Sequence, residues 1–196
     1  MSLPTRLSVF AYPDSASWPT FPGLESLDDR AIERCRAVRA QARPTPDTVW
    51  CAPEPAAQQA ANALGLTPVV VDELAVPALG RWIGQSLGSV AGAEPDNLSA
   101  WLSDPHSPPH GGESLAALVL RVGAWLDTLG GGRTLLIVHA ITGRAAATYA
   151  LDADPRTMMH LDVPPLGLLQ MVRSDRWRLQ HLGRLEPGAP MDFRRC

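Results

Sequence analysis

The stretch Thr134–Leu151, TLLIVHAITGRAAATYAL, constrains this chain more than any other. Leu135–Val138 is a short apolar run ending in two β-branched residues. That suits a strand buried on both faces, as in a parallel sheet. His139 follows it directly, and a turn with Thr142 and Gly143 leads into an Ala-rich segment of high helical propensity. A polar residue at the exit of a buried parallel strand, just ahead of a helix, stands where α/β sheets hold their ligands. Whether His139 is such a residue, or a histidine bonded to backbone at the core's edge, depends on what the rest of the chain brings to it.

The 196 residues, 45% hydrophobic and 19% charged, fit one globular domain with at most a small appendage. The net charge is -3 and lysine is absent, so neither nucleic acid nor a membrane surface is an expected partner. No apolar segment reaches the length of a membrane span, and the N-terminus has no signal-peptide pattern. Cys35, Cys51 and Cys196 make neither a disulfide framework nor a zinc spacing. A reducing, cytoplasmic location is therefore expected. No internal repeat occurs.

Leu7–Ala11 is the first expected strand, and Tyr12-Pro13 must leave it because proline cannot continue a central strand. Asp28 is an N-cap for a helix reaching about Ala42, with Ile32, Cys35 and Val38 on one face and Pro44 and Pro46 beyond its end. Thr48–Cys51 is a second strand. Pro53 or Pro55 opens a helix that buries Ala57, Ala60, Ala61 and Leu64 and closes at Gly65. Val69–Val71 favours extended structure. Residues 74–109 read as a long irregular segment, of the kind that serves as a functional cap. Gly112-Glu113-Ser114 starts a helix with Leu115, Leu118, Val119, Val122, Leu126 and Leu129 on its apolar face, stopped by Gly130–Gly132. Leu166–Val172 and Trp177–Leu182 form a terminal hairpin. The alternation of strand and helix predicts a mainly parallel sheet with helices on both faces. One domain is expected over residues 4–183, with 74–109 as a loop-rich cap and 184–196 as a tail.

Five pieces of this order together carry a resemblance. Leu27-Asp28 precedes a helix. CAPEPAAQQAANALGL runs from Cys51, LAVPALGRWIG from Leu74, PHGGESLAALVLRV from Pro109 and VHAITGRAA from Val138. In this sequence and wording they resemble the histidine phosphatase, or phosphoglycerate mutase-like, superfamily over nearly the whole chain. The resemblance implies a three-layer α/β/α sandwich and puts His139 at the second histidine of the superfamily's site. It implies no cofactor and no metal.

The superfamily's defining Arg-His-Gly, at the end of the first strand, reads Ala11-Tyr12-Pro13 here. The resemblance therefore places Tyr12 where the phosphoryl-accepting histidine belongs and Ala11 where the first phosphate-binding arginine belongs. The second arginine falls on Ala56 and the proton-donating glutamate on Val76. His139, Glu113 and Ser114 remain. Two arginines replaced by alanine remove about ten N–H donors and two fixed charges. An anion left unpaired in a part-dry pocket costs several kcal/mol. Tyrosine, with a pKa near ~10, is a poor replacement nucleophile. Loss of a nucleophile alone commonly costs on the order of a millionfold.

Three readings follow. In the leading one the chain is catalytically inactive, with His139 vestigial, and keeps the fold to bind a small molecule or a protein partner. Ala11, Tyr12, Cys51, Ala56, Val76 and Glu113 would then line the ligand pocket. In the second, a hydrolase runs new chemistry from Tyr12, Cys51, His139 and Glu113, with Cys51 as thiolate. In the third, the chain is an active phosphomonoesterase or mutase, although no Arg-His-Gly occurs anywhere in it. An arginine from elsewhere, Arg81 or Arg144, would restore phosphate binding. His106, His110 and His160 read as exposed loop histidines rather than metal ligands. The six tryptophans read as core and cap packing rather than ligand stacking, with Trp18 and Trp82 the candidates for a pocket mouth, and an oligomer is left open.

Overall fold

The computed structural model of the chain describes residues 3–13, 20–39 and 46–185. Six strands make one sheet: β1 (Thr5–Ala11), β2 (Thr48–Cys51), β3 (Val69–Val70), β4 (Gly132–Val138), β5 (Gly167–Arg173) and β6 (Trp177–Arg184). Their spatial order is β3-β2-β4-β1-β5-β6. The β1–β4, β2–β4 and β2–β3 pairs are parallel, and β5 is antiparallel to both β1 and β6. Only β5 therefore runs against the rest. The helices are α1 (Asp29–Arg39), α2 (Pro55–Ala63), α3 (Leu87–Ala93), α4 (Pro95–Ser103), α5 (Leu115–Asp127) and α6 (Ala140–Ala150). The parallel crossovers β1–α1–β2 and β2–α2–β3 move one way across the sheet, whereas β3–α5–β4 moves back. Right-handed connections then put α1 and α2 on one face and α5 on the other, where α6 packs beside it. The pairs α1·α2 and α5·α6 pack accordingly, giving the expected α/β/α sandwich.

The apolar run expected to be central is central. Leu135, Leu136, Ile137 and Val138 are at most 1% exposed, held between β2 and β1. Burial on both faces explains why the run shows no alternation. Asp28 caps α1 as expected, its Oδ1 accepting the Ala31 N–H at 2.7 Å. Gly65, at φ 69°, closes α2 in the left-handed region that glycine enters without a Cβ clash. The valines after it form an edge: Val69 and Val70 pair with β2 and lie 56% and 45% exposed, while Val71 is buried and its N–H donates to Cys51 O at 3.0 Å.

Residues 74–109 are more regular than the irregular cap expected. Ser86 Oγ accepts the Ser89 N–H at 3.0 Å and starts α3, and Pro95 opens α4. Gly88 and Gly92 in α3 lower its propensity, which is why a short helix is hard to read there. An aromatic cluster fixes the cap. Phe21 lies 5.2 Å from Trp82 and 5.7 Å from Trp101, and Trp82 lies 5.1 Å from His110, centroid to centroid. Trp82 is fully buried, as core packing of the tryptophans predicts, and one expectation is corrected: His110 is 1% exposed rather than an exposed loop histidine. Their rings fill the same apolar seam, which outweighs the polarity of one imidazole. His106 and His160 are exposed as expected.

The hairpin forms, and Arg184 still pairs with Gly167, so the tail starts later than expected. The reach of the first helix to Ala42, Trp18, Pro44, Cys196 and the chain beyond Leu185 lie outside the described residues. Among the described residues, no helix is long and apolar enough to cross a membrane.

Gly123 marks the closest approach of α5 to α6. A Cβ there would lie 2.1 Å from Cδ2 of Tyr149, whose hydroxyl donates to Asp127. Alanine gains about 1 kcal/mol in helix propensity. Overpacking costs about 1–3 kcal/mol and also displaces the Tyr149 hydrogen bond. Gly123→Ala is therefore expected to lower the thermal midpoint by several degrees. A raised midpoint in a melting curve would mean that this seam is loose.

Candidate functional site

The parallel pairing of β1 with β4 builds the site. Ala11 stands opposite Val138, and the Tyr12 N–H extends the ladder to Val138 O at 3.1 Å. Tyr12 and His139 therefore leave neighbouring strands side by side. Their rings meet edge to face, 5.6 Å between centroids with 67° between planes. β2 arrives one step earlier: Cys51 stands opposite Ile137, and Ala52 N–H donates to Ile137 O at 3.0 Å. Ala11 and Cys51 are fully buried, and Tyr12 and Ala56 are 6% and 5% exposed.

His139 is the N-cap of α6, and its Nδ1 accepts the Ile141 N–H at 3.1 Å. A nitrogen that accepts carries no proton, so the neutral ring holds its proton on Nε2. Protein encloses the imidazole although the residue keeps some exposed surface. Burial, and secondarily the charge of Arg144, push its pKa down to about 4. At neutral pH this histidine offers one N–H and no charge.

Glu113 spends its carboxylate on Arg121, at 2.8 Å from Nε and 2.6 Å from Nη2. Arg121 also reaches Glu73 O at 2.8 Å and Ala75 O at 3.2 Å. Thr142 Oγ1, on α6, donates to the same Ala75 O at 3.4 Å. The Glu113 N–H donates to Ala78 O at 2.6 Å. Gly112 beside it leaves room only for hydrogen, since a Cβ would lie 1.8 Å from Ala78 O. Segment 73–78 is thereby bound to the starts of α5 and α6, and Val76 is held at the site by backbone rather than by its own side chain.

The residue that sequence reasoning missed is Glu54. An acid between Pro53 and Pro55 at a helix start reads as a cap, yet its side chain makes no capping bond. It turns to the cap segment, where Oε1 accepts the Val76 N–H at 2.7 Å. Glu54 is 3% exposed, and Oε2 is buried with no partner among the described residues. Burial raises its pKa, and the Val76 bond only partly offsets this. The available signal was an acid at a position where the superfamily wording has leucine. Arg121 was missed as well, because nothing local marks a helix residue that serves another segment's carbonyls.

Two of the nearby arginines are committed to carboxylates: Arg81 is bidentate to Glu94 on the cap and Arg121 to Glu113. Arg144 is less engaged, with Nη2 3.4 Å from the exposed Asp162 and Nε buried with no partner among the described residues. Burial, and secondarily Glu54, push the Cys51 thiol up to about 11, so it is protonated at neutral pH and a weak nucleophile. Among the described residues, no three His, Cys, Asp or Glu gather as metal ligands.

Glu54 and His139 make opposite pH contributions. The folded pKa of Glu54 is raised above 4.5, so stability is full below that pH and is lost as pH rises through the folded value. Glu54→Gln is expected to stabilise the protein at about pH 7.5 by about 1 kcal/mol, roughly 2–4 °C, with less gain in acid. Equal gains at both pH values would show that the carboxyl is not strained. The folded pKa of His139 is depressed, so its contribution is full above 6.5 and is lost as pH falls toward about 4. His139→Gln, which retains an acceptor for Ile141, is expected to flatten the stability profile across that window. An unchanged acid limb in denaturant titrations would refute the assignment.

A model of the histidine phosphatase superfamily, branch 1, matches residues 24–184. Bifunctional protein Rv2228c of Mycobacterium tuberculosis is 31% identical over 117 residues, covering 57% of this chain and 32% of that protein. An uncharacterised protein of Mycobacterium bovis, Mb2253c, matches to the same extent. The chain thus spans about a third of the length of these relatives. Among solved structures, the alpha-ribazole phosphatase of Shigella flexneri superposes with TM-score 0.79 at 21% identity, covering 91% of this chain and 96% of that one. The mycobacterial glucosyl-3-phosphoglycerate phosphatase Rv2419c with VO3 superposes with TM-score 0.81 at 19% identity, covering 92% and 100%. At such identities the likeness is one of fold.

Proposed function

We propose, for a chain that belongs to the histidine phosphatase superfamily, that it has given up phosphohistidine chemistry and keeps the sheet-edge site to bind a small molecule or a protein partner. The observation that carries this reading is the Tyr12–His139 contact, 5.6 Å between rings at the exits of paired strands. A phenol beside this histidine, at the exit of the first strand, supports the reading that the superfamily's nucleophile has been replaced. The site residues proposed are His139, Ala11, Tyr12, Cys51, Ala56, Val76 and Glu113, now joined by Glu54.

Each catalytic requirement is then unmet for a physical reason. His139 is poorly placed to ionise Tyr12, since its Nδ1 is bonded to backbone and its ring resists protonation near neutral pH. Ala11 and Ala56 supply no donors to align a transferring group. Arg81 and Arg144, the cations considered as substitutes, are paired with Glu94 and Asp162. A hydrolase built on Cys51 is disfavoured by a thiol held near 11. Cys35 and Cys51 are free and buried, in keeping with a reducing, cytoplasmic setting as part of the same proposal.

The test is enzymatic and covalent. With p-nitrophenyl phosphate at mildly acidic and neutral pH, no turnover above buffer is expected, and intact-protein mass spectrometry should detect no phosphorylated residue. Orthovanadate should leave the thermal midpoint unmoved, because a ligand stabilises only the state that binds it. Turnover, or a phosphoryl adduct on any site residue, overturns the proposal. Rebuilding the site with Ala11→Arg, Tyr12→His, Pro13→Gly, Ala56→Arg and Val76→Glu should create phosphatase activity that His139→Ala abolishes.

A further inference from the structure

A second concave site lies away from the strand exits, where the last turn of α4 and the first residue of α5 face the 3-10 turn Pro155–His160. The cavity measures about 230 Å³. An apolar cavity of about 150 Å³ is enough to hold benzene, so this one has room for a six-membered ring and one small polar group. Its apolar lining comes from Trp101, Leu115 and Met159, and its polar lining from Ser103, Arg156 and His160.

The two kinds of wall are chemically distinct. Trp101 and Leu115 are 7% and 1% exposed and belong to the core, so the apolar side is rigid. The Trp101 Nε1 is buried and has no acceptor among the described residues. Ser103 commits its proton to Ser99 O at 2.8 Å. Arg156 is held through its backbone, where Asp154 Oδ1 accepts its N–H at 2.9 Å. Its guanidinium makes no ion pair or hydrogen bond among the described residues, and neither does the His160 ring. No carboxylate lines the cavity. An arginine fork and an imidazole N–H beside a dry aromatic floor match a ligand with one flat apolar end and one anionic end.

We propose that this cavity binds a small amphipathic carboxylate, such as an aryl or short-chain carboxylic acid, with its carboxylate on Arg156 and His160 and its apolar end on Trp101, Leu115 and Met159. The site differs from the strand-exit site in every residue. It does border it mechanically. Trp101 packs on Phe21 and Trp82 of the cap, 5.7 and 6.1 Å between centroids. Leu115 follows Ser114, which caps α5 with Oγ 3.1 Å from the Ala117 N–H. Occupancy would brace the cap against α5.

The test uses the full chain labelled with heavy nitrogen and two probes of nearly equal shape, benzoate and neutral benzamide. Benzoate should saturate with a Kd on the order of 0.1–1 mM, which is what so small a ligand can reach. It should shift the Trp101 indole N–H resonance, assigned by its absence in Trp101→Phe. Benzamide should bind about tenfold more weakly, and Arg156→Gln should weaken benzoate about tenfold while leaving the other amide resonances in place. His139→Gln should leave benzoate binding unchanged, which separates this site from the strand-exit site. If Trp101→Phe does not fold, the indole is assigned in the unmodified protein through its proximity to Phe21 and Trp82, and Arg156→Gln carries the test. No saturation by about 10 mM, equal affinity for the two probes, or full affinity in Arg156→Gln overturns the proposal. So would shifts centred on Tyr12 and His139. None of these outcomes bears on the phosphatase assay.

Discussion

The parallel ladder between β1 and β4 is the constraint on which the site depends. Its backbone bonds fix Ala11 opposite Val138, and the next residues, Tyr12 and His139, emerge as neighbours. The ladder holds because both strands are buried on both faces, with Val9, Phe10 and Ile137 fully buried. With no polar face to set the register, the ladder's ends pin it: Gly132 N–H donates to Pro4 O at 3.1 Å and the Thr5 hydroxyl to Gly130 O at 3.0 Å, while Tyr12 N–H donates to Val138 O at 3.1 Å. β2 and its Cys51 are tied to the same central strand. Everything at the C-terminal edge inherits its position from β4.

Around that edge the polar chemistry has been rearranged rather than deleted. Arg121, Glu113 and Thr142 all serve segment 73–78, which carries Val76. Glu54 bonds to the same segment from the opposite side. These bonds satisfy backbone groups that a loop crossing the sheet's edge would otherwise bury unpaired, at about 1–3 kcal/mol each. Arg81 is held in an ion pair and Arg121 in such scaffolding. A phosphoryl group arriving here would meet a neutral imidazole, a phenol and a buried acid, with the charge of Arg144 felt at His139.

The cap shows a related economy of packing. A chain with six tryptophans places two of them, Trp82 and Trp101, face to edge with Phe21 to lock α4 and the 3-10 turn before α3. His110 joins this stack and takes the Gly112 N–H on Nδ1, which helps to set the start of α5. Its buried Nε2 is unpaired among the described residues, and burial keeps its pKa low. The same packing leaves the concavity behind Trp101, because a 3-10 turn and the end of a helix do not interdigitate as two helices do.

The sequence by itself determined the elements and their order. An unbroken apolar run means burial on both faces, Asp28 and Ser114 carry caps in their own side chains, and Gly65 and Gly130–Gly132 mark where helices stop. These are local consequences of backbone chemistry, legible one residue at a time. Part of the site was legible too. The resemblance to the superfamily brings Tyr12 and His139 together at the exits of two strands, and the structure sets them in contact. Tertiary structure alone decided the remainder. That Val69 and Val70 form an exposed edge, that His110 is core, and that Arg121 serves a segment more than forty residues away all depend on partners distant in sequence. Glu54 is the sharpest case. Its sequence position reads as a helix cap, and only the approach of Val76 turns it into a buried acid, because what a side chain bonds to and how much water it loses are set by the neighbours the fold supplies.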